Sequence, residues 1–269
     1  MLSLSGIEKS FGGRTVLAGL GLEVSAGESV ALVGANGCGK TTTLGCIVGL
    51  VRPDRGRILI GGVDVAQDPS GARRRVSYLP QRPAFPPTLT VRETIAVVAR
   101  LRGLPVRTVD REIEECGLTG LADRNVGRLS GGERQRLAMA VAFLPAVDLY
   151  IFDEPSANLD PTASRLLFQR ARQLKRDGHA LLFTTHIPAD VRHLATRVAL
   201  LRGGRIESDA SGQFELRRAE RMLEREMWGT DHEDSIRGPM DDRGGDCRAD
   251  GDRLLAQGAC AAAASGRSR

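Results

Sequence analysis

Short apolar runs alternate with helical patterns along most of this 269-residue chain. The first run, Ser29 to Val33, ends at a glycine-rich loop, and the spacing from Lys40 to Leu50 predicts a helix after it. Leu149 to Phe152 shows no polar alternation, which predicts a central strand buried on both faces. Ala180 to Thr184 predicts a further strand. Strands that alternate with helices indicate a doubly wound α/β core.

Residues 82–128 have mainly helical character and interrupt this alternation. Helical spacing covers Val91 to Gly103 and Val109 to Cys116, with a glycine-proline break between the two segments. A further helix is expected from Glu133 to Leu144, where Pro145 stops it. The middle of the chain therefore reads as a helical insertion in an α/β domain.

The second half of the chain has its own start and stop signals. Asp160 followed by Pro161 is typical of a helix start, and Val198 to Ile206 predicts a hairpin that turns at two glycines. Residues 213–228 predict a charged helix. From residue 229 to 269 large apolar residues are scarce, so this tail is expected to be disordered.

A phosphate-binding loop follows the first strand. Residues 34–41 read GANGCGKT, which fits the pattern G-x-x-x-x-G-K-[ST], and the strand before it and the helix after it are the context that this motif requires. Glycines let successive amides face a phosphate, aided by the positive end of the following helix. Lys40 would reach the β- and γ-phosphates of a nucleotide, and the Thr41 hydroxyl would bind Mg²⁺.

Two acids, Asp153 and Glu154, follow the buried strand 149–152. By themselves they could simply begin a loop. Paired with the phosphate loop, they predict that Asp153 holds Mg²⁺ through water and that Glu154 activates the attacking water as general base.

The segment 129–136, LSGGERQR, has a structural interpretation of its own. Ser130 and Glu133 form the pattern of a capping box, which predicts only a helix start with two glycine amides near its end. Such an end can bind an anion, but the phosphate loop already supplies one phosphate site.

The phosphate loop, the LSGGERQR segment and the paired acids occur together in this order. In this respect the chain resembles the ATP-binding subunit of an ABC transporter, over about residues 2–207. The resemblance implies an ABC-type P-loop core over residues 1–228, with the helical insertion at 82–128 and a small N-terminal β subdomain. It implies ATP and Mg²⁺ as cofactors and a head-to-tail dimer. It also implies a separate transmembrane permease subunit as partner.

The resemblance also assigns site residues. Ser130, Gly131 and Gly132 would serve the γ-phosphate held by the partner ATPase. Glu154, His186 and Gln81 would be catalytic, Thr41, Gln81 and Asp153 would hold the metal, and Asp160 would lie in a loop that crosses the dimer interface. Phe11 would stack on adenine, although an ordinary core phenylalanine is nearly as good an interpretation. The other nucleotide-binding positions implied are Gly34, Ala35, Asn36, Gly37, Cys38, Gly39, Lys40, Thr41 and Thr42.

Residues 78–81, 89–93 and 99–105 are similar to ATPases of ABC-2-type exporters, although importers share most of the motifs. In that case the insertion would receive the permease through apolar residues such as Phe85 and Leu89. An importer ATPase, and a soluble ABC protein that acts on ribosomes or DNA, remain alternatives. A regulatory module that hydrolyses little is also possible, but the presence of Glu154 and His186 weighs against it.

Composition and charge indicate where in the cell the protein is found and whether it binds nucleic acid. No run approaches the 18 or so apolar residues of a membrane span, and Met1 to Glu8 lacks the features of a signal peptide. A cytoplasmic protein, peripheral on the inner face of the cell membrane, is therefore expected. The net charge of +5 is spread through every segment, and the only basic cluster, Arg73 to Arg75, lacks aromatic neighbours. No specific nucleic-acid partner is expected.

Overall fold

The structure, a computed structural model, describes residues 1–157 and 159–228. The predicted disorder of the tail, 229–269, lies outside the described residues. The strands are β1 Leu2–Phe11, β2 Arg14–Val24, β3 Ser29–Val33, β4 Arg55–Ile60, β5 Val63–Asp64, β6 Val76–Leu79, β7 Leu149–Asp153, β8 Ala180–Thr184, β9 Arg197–Arg202 and β10 Arg205–Ser211. The helices are α1 Lys40–Ile47, α2 Pro69–Arg74, α3 Val91–Leu101, α4 Arg107–Glu115, α5 Gly131–Phe143, α6 Pro161–Arg176, α7 Pro188–Leu194 and α8 Gln213–Trp228.

The strands form two sheets. The first, in the order β2-β1-β4-β5, is antiparallel and confirms the small N-terminal β subdomain. The second has the order β10-β9-β3-β8-β7-β6, and its neighbours from β9 to β6 are all parallel. The strands β3, β7 and β8 are buried along their whole length, as the lack of alternation in β7 predicted.

Side chains on the two faces of the second sheet belong to different apolar clusters. One cluster lies between the two sheets and includes Ile7, Leu32 and Leu44. The other packs the opposite face under α5, α6 and α7 and includes Phe152 and Phe183. A sheet covered on both faces is the arrangement that a doubly wound α/β core requires, so the predicted fold class is confirmed.

The insertion has an apolar cluster of its own. This third cluster joins α3 and α4 with part of α5, and it includes Ile95, Ile113 and Leu137. A capping box between Thr90 and Glu93 begins α3. The predicted helical character of this region is therefore confirmed.

Predicted and observed helix ends differ by a few residues. The helix predicted over 40–50 ends at Ile47, and Gly49 follows it with φ of 76°. The helix predicted over 91–103 ends at Leu101, and Gly103 has φ of 67°. In both places a glycine adopts a left-handed backbone that no α-helix continues through. The predicted hairpin is formed by β9 and β10, with the turn at Gly203 and Gly204.

The last described helix, α8, packs on α7 and on the hairpin. Its residues Ala219 and Leu223 are buried against the cluster under α7. Glu220 of α8 also forms an ion pair with Arg192 of α7, at 3.4 Å. Within the described residues, no helix is long and apolar enough to cross a membrane.

One arginine ties the insertion to the core. Arg170 of α6 donates from Nη2 to both carboxylate oxygens of Glu112 in α4, at 2.8 and 3.0 Å, and it also pairs with Glu115. Its guanidinium lies over the ring of Phe143, 4.9 Å from the centroid. The Glu112 side chain is only 7% exposed, so its charge depends on this partner.

We expect Arg170→Ala to lower the free energy of unfolding by about 3–5 kcal/mol, because it leaves the Glu112 carboxylate buried and unpaired. The matched control is Arg111→Ala, which removes a 73%-exposed partner of Glu115. That change should cost less than about 1 kcal/mol. Denaturant unfolding of both variants measures the difference. Equal losses in the two variants would contradict the role of Arg170.

Candidate nucleotide-binding and hydrolysis site

The loops that carry the predicted chemistry leave the same edge of the second sheet. The neighbouring parallel strands β3, β8, β7 and β6 all end there. The phosphate loop follows β3, Gln81 comes shortly after β6, Glu154 follows β7 and His186 follows β8. The carboxyl edge of an α/β sheet is where such folds bind ligands.

The phosphate loop is shaped by glycines in conformations that other residues rarely adopt. Gly34 has φ of 152°, and a Cβ there would collide with the carbonyl oxygen of Leu201. Gly39 has φ of 112°, and a Cβ there would lie 2.9 Å from a methyl carbon of Leu17. No side chain caps the start of α1, so its first N–H groups remain available to an anion.

Lys40 and its neighbours complete this loop. The lysine is 8% exposed, and its amine donates to the carbonyl oxygens of Gly34 and, at 3.2 Å, of Ala35. Cys38 closes a turn by donating its N–H to the oxygen of Ala35, and its side chain packs against the cluster between the sheets. The loop therefore curls around the ammonium group, as a cradle for phosphate requires.

An open cavity of about 410 Å³ lies in front of this loop. A volume of this size suits a small-molecule ligand. The cavity is lined by Arg14, Val16, Asn36, Gly37, Gly39, Lys40, Thr41, Thr42, Gln81 and Glu154. The structure therefore brings most of the predicted phosphate-loop residues together with the predicted base and with Gln81.

Asp153 lies at the floor of the site and is 3% exposed. Burial raises the pKa of its carboxyl, while hydrogen bonds from the hydroxyls of Thr184 and Thr41 oppose that shift. A carboxylate and a hydroxyl next to a phosphate site make an all-oxygen set, which suits Mg²⁺. Among the described residues, no three His, Cys, Asp or Glu side chains form a metal cluster. The residues present thus fit an ion that also takes oxygens from the nucleotide and from water.

Glu154 has a strained backbone. Its φ is 50°, and in the described part of the chain it is the only residue other than glycine with a positive φ. Its N–H is held by both the carbonyl and the hydroxyl oxygen of Thr184, at 3.1 Å each. A left-handed backbone at a non-glycine residue costs free energy, and the surrounding bonds have to enforce it.

The side chain of Glu154 joins the other two predicted catalytic residues. Its Oε2 accepts a hydrogen bond from Nε2 of Gln81 at 2.5 Å, and its Oε1 lies 3.3 Å from Nδ1 of His186. The Glu154 side chain is 14% exposed, whereas that of His186 is 47% exposed. The structure thus places a carboxylate, an amide and an imidazole at the mouth of the phosphate loop.

The predicted signature residues lie elsewhere on the surface. Ser130 forms the predicted capping box with Glu133, since Glu133 N donates to the Ser130 hydroxyl and Ser130 N donates to the Glu133 carboxylate. Ser130 and Gly131 are exposed and Gly132 is half-buried. None of the three lines the nucleotide cavity of its own chain.

Asp160 caps α6, as its position before Pro161 predicted. Its Oδ1 accepts hydrogen bonds from the N–H groups of Thr162 and Ala163, at 2.9 and 2.8 Å. These bonds, led by that from Ala163, lower the pKa of the Asp160 carboxyl. The carboxylate is therefore committed to the helix start in this chain.

Phe11 is not a core residue, so that interpretation of it is wrong. The side chain is 49% exposed at the turn between β1 and β2, with the Lys9 ammonium 5.2 Å from the ring centroid. Sequence reasoning missed Arg14 and Val16, which follow this turn and line the cavity. Their position three and five residues after Phe11 could have indicated that they lie near the nucleotide. The arginine was instead treated as one of many scattered basic residues.

Comparison with known proteins agrees with this geometry. A family described as "ABC transporter" matches residues 17–157. The chain belongs to the ABC transporter family. Within this family it is similar to ATP-binding subunits, which hydrolyse ATP, and this ABC chain is an ATPase of that kind.

Two relatives illustrate the match. The chain is 39% identical over 203 residues to the Nod factor export ATP-binding protein I of Burkholderia lata, covering 74% of this chain and 67% of that protein. It is 36% identical over 207 residues to the protein of the same name from Bradyrhizobium diazoefficiens, covering 76% and 68%.

A solved structure supports the fold. An ATP-binding subunit of an ABC transporter superposes with a TM-score of 0.76 at 31% identity, covering 83% of this chain and 99% of the other. The family match over residues 17–157 includes the phosphate loop, the insertion and the paired acids.

Proposed function

We propose that this ABC ATPase is the motor of an ABC-2-type exporter, working as a dimer on a separate transmembrane permease at the cytoplasmic face of the membrane. The observation that carries the catalytic part is the junction of Glu154, Gln81 and His186 at the mouth of the phosphate loop. The relatives named for Nod factor export support export over import.

In this mechanism the phosphate loop holds the triphosphate and Lys40 moves from its carbonyl partners to the β- and γ-phosphates. Thr41, Gln81 and, through water, Asp153 would hold Mg²⁺, which neutralises charge on the phosphates when bound. Because the Gln81 amide nitrogen donates to Glu154, the amide oxygen is the atom that would face the ion. Asp153 stays buried and accepts a hydrogen bond from the Thr184 hydroxyl, whereas Glu154 lines the cavity.

Glu154 is the group placed to take a proton from the attacking water. Its carboxylate stands at the cavity wall, and its strained backbone directs the side chain out of the β7 strand and toward the cavity. His186, next to it, would contact the γ-phosphate and report its presence to the loop after β8. Arg14, which lines the cavity, and Phe11, three residues before it in the chain, would contact the ribose and the base.

The exposed signature segment supports a head-to-tail dimer. Ser130, Gly131 and Gly132 present a helix start to solvent and take no part in their own cavity. Backbone N–H groups at a helix start bind anions, so a second chain could offer its bound γ-phosphate to them. Each of the two sites would then contain residues from both chains.

The insertion is the proposed docking element for the permease. Phe85 and Leu89 are half-buried, and Phe85 packs between the core and the insertion clusters, so both already have intramolecular contacts. The large exposed apolar side chains of the insertion are Val97 and Leu101, one turn apart on α3, and Val106 beyond them; they are 43%, 82% and 73% exposed. These residues supply the open apolar surface that docking needs.

Replacing Glu154 with Gln should reduce ATP turnover by about 10²–10⁴-fold while ATP still binds, because the amide keeps the shape but cannot accept the proton. Phosphate release and binding of a fluorescent ATP analogue measure the two effects. Glu207→Gln, on an exposed strand residue, is the control and should retain activity. Undiminished hydrolysis in Glu154→Gln would exclude the general-base role.

Two inactive variants should complement one another if the sites are composite. Lys40→Met damages the phosphate loop and Gly131→Arg damages the signature, so neither should turn over ATP alone. In an equal mixture half the dimers are mixed and each has one undamaged site of two, which predicts about a quarter of wild-type turnover. A mixture as inactive as its components would contradict the head-to-tail arrangement.

Changing Val97 and Leu101 together to Glu should abolish co-purification of a membrane protein from detergent-solubilised cells. Basal ATPase should remain, because neither side chain lines the nucleotide cavity. Leu50→Glu is the matched control, since Leu50 is 73% exposed and lies outside the insertion. If the unmodified chain recovered ribosomes or DNA instead of a multi-span membrane protein, that result would favour a soluble ABC function.

A further inference from the structure

A buried acid lies behind the hydrolysis site. Asp190 belongs to the first turn of α7 and is 0% exposed. A carboxylate so deeply buried is costly unless other groups stabilise it. Its contacts include the hydroxyl groups of Thr185 and Ser156 and the charges of His186 and Glu154.

The first of these contacts fixes the turn that carries His186. The hydroxyl of Thr185 donates to Oδ2 of Asp190 at 2.7 Å, and the hydroxyl oxygen of Thr185 accepts a hydrogen bond from the N–H of Ile187 at 2.9 Å. Thr185 is 1% exposed, so both bonds are shielded from water. His186 stands between the two bonded residues, with its ring 3.3 Å from the Glu154 carboxylate.

The second contact reaches the loop after Glu154. The side chain of Ser156, two residues after Glu154 and 8% exposed, lies close enough to Asp190 for hydrogen bonding to stabilise the carboxylate. The Oδ1 atom of Asp190 has no hydrogen bond of good geometry in the described part of the chain. The link to Thr185 is therefore well formed and the link to Ser156 is loose.

Burial is the main influence on this carboxyl and raises the pKa of Asp190, whereas Ser156, Thr185 and His186 lower it. Glu154 adds a small repulsion in the opposite sense. The groups that face Asp190 are thus the members of the hydrolysis site and the residues beside them. An acid placed for packing alone would have no reason to face this set.

We propose that Asp190 is a positioning residue for ATP hydrolysis, which holds the Thr185–Ile187 turn so that His186 stays against Glu154. This inference rests on the proposed roles of Glu154 and His186 and extends them to a buried residue that does not line the nucleotide cavity.

Thr185→Val tests the bond with little change in shape, because valine replaces the hydroxyl by a methyl group. The turnover number should fall about five- to tenfold, because the variant loses one buried hydrogen bond that positions His186. The ATP KM should change less than about twofold. Phosphate release by the full chain over a range of ATP concentrations measures both quantities.

The matched control is Thr94→Val. Thr94 is 4% exposed and donates its hydroxyl to the Thr90 carbonyl in α3, so it loses a comparable bond outside the site. Its Tm should fall about as much as that of Thr185→Val, but its turnover number should not. If the turnover numbers of the two variants fall equally, or if Thr185→Val keeps wild-type turnover, Asp190 has no positioning role.

Variants of the acid itself complete the test. Asp190→Asn keeps an oxygen that can accept from Thr185, so it should retain most of the activity, whereas Asp190→Ala should be at least as impaired as Thr185→Val. Adding Asp190→Ala to Thr185→Val should cause a much smaller loss than Asp190→Ala causes in the wild-type chain, because the shared bond is already absent. Additive losses would contradict the shared bond.

Glu154→Gln, measured in the same assay, distinguishes a failure of the positioning role from a failure of the proposed function. If that variant is inactive and Thr185→Val is fully active, the positioning role fails while the general base stands. If Glu154→Gln keeps its turnover, the proposed function itself fails.

Discussion

Parallel pairing of β3, β8, β7 and β6 is the constraint on which the site depends. In a parallel sheet every strand ends at the same edge, so whatever follows each strand is brought to one place. The phosphate loop, His186, Glu154 and Gln81 are separated by long stretches of sequence but follow adjacent strands. Hydrophobic burial of the strands on both faces holds this edge rigid, because no strand can slip without exposing its apolar side chains.

A rigid edge also permits the strained backbone at Glu154. The left-handed conformation there is maintained by two hydrogen bonds from one N–H to Thr184 of the next strand. Thr184 also donates to the Asp153 carboxylate, so one threonine on β8 fixes both Asp153, the last residue of β7, and Glu154 after it. The position of the proposed general base is thus determined by the neighbouring strand rather than by the loop after β7 itself.

The insertion is held differently, and this difference suits a part that transmits movement. It has its own apolar cluster, and its link to the core includes the Arg170 ion pair with Glu112 and Glu115 and the ring of Phe85. Gln81 leads from β6 toward the insertion and bonds to Glu154. In the proposed mechanism a change at the γ-phosphate would reach the insertion through this side chain, while Arg170 of α6 ties the insertion to the core.

The sequence by itself determined the fold class, most of the elements and the residues of the phosphate loop, since these follow from local patterns. An unbroken apolar run, a glycine loop before a helix and a capping box can each be recognised from residues that lie close together in the chain. Helix ends at Ile47 and Leu101 were less well predicted, because the nearby glycines compete with the helical pattern at its last turn.

Only the tertiary structure decided which distant residues meet. It showed that Phe11 is exposed, that Arg14 lines the cavity, and that the signature residues stand apart from the site of their own chain. It also showed that Asp190 and Thr185 lie behind His186. A buried acid and a threonine have no distinctive pattern in a sequence, because their partners are chosen by strand order and helix packing, which act across the whole chain.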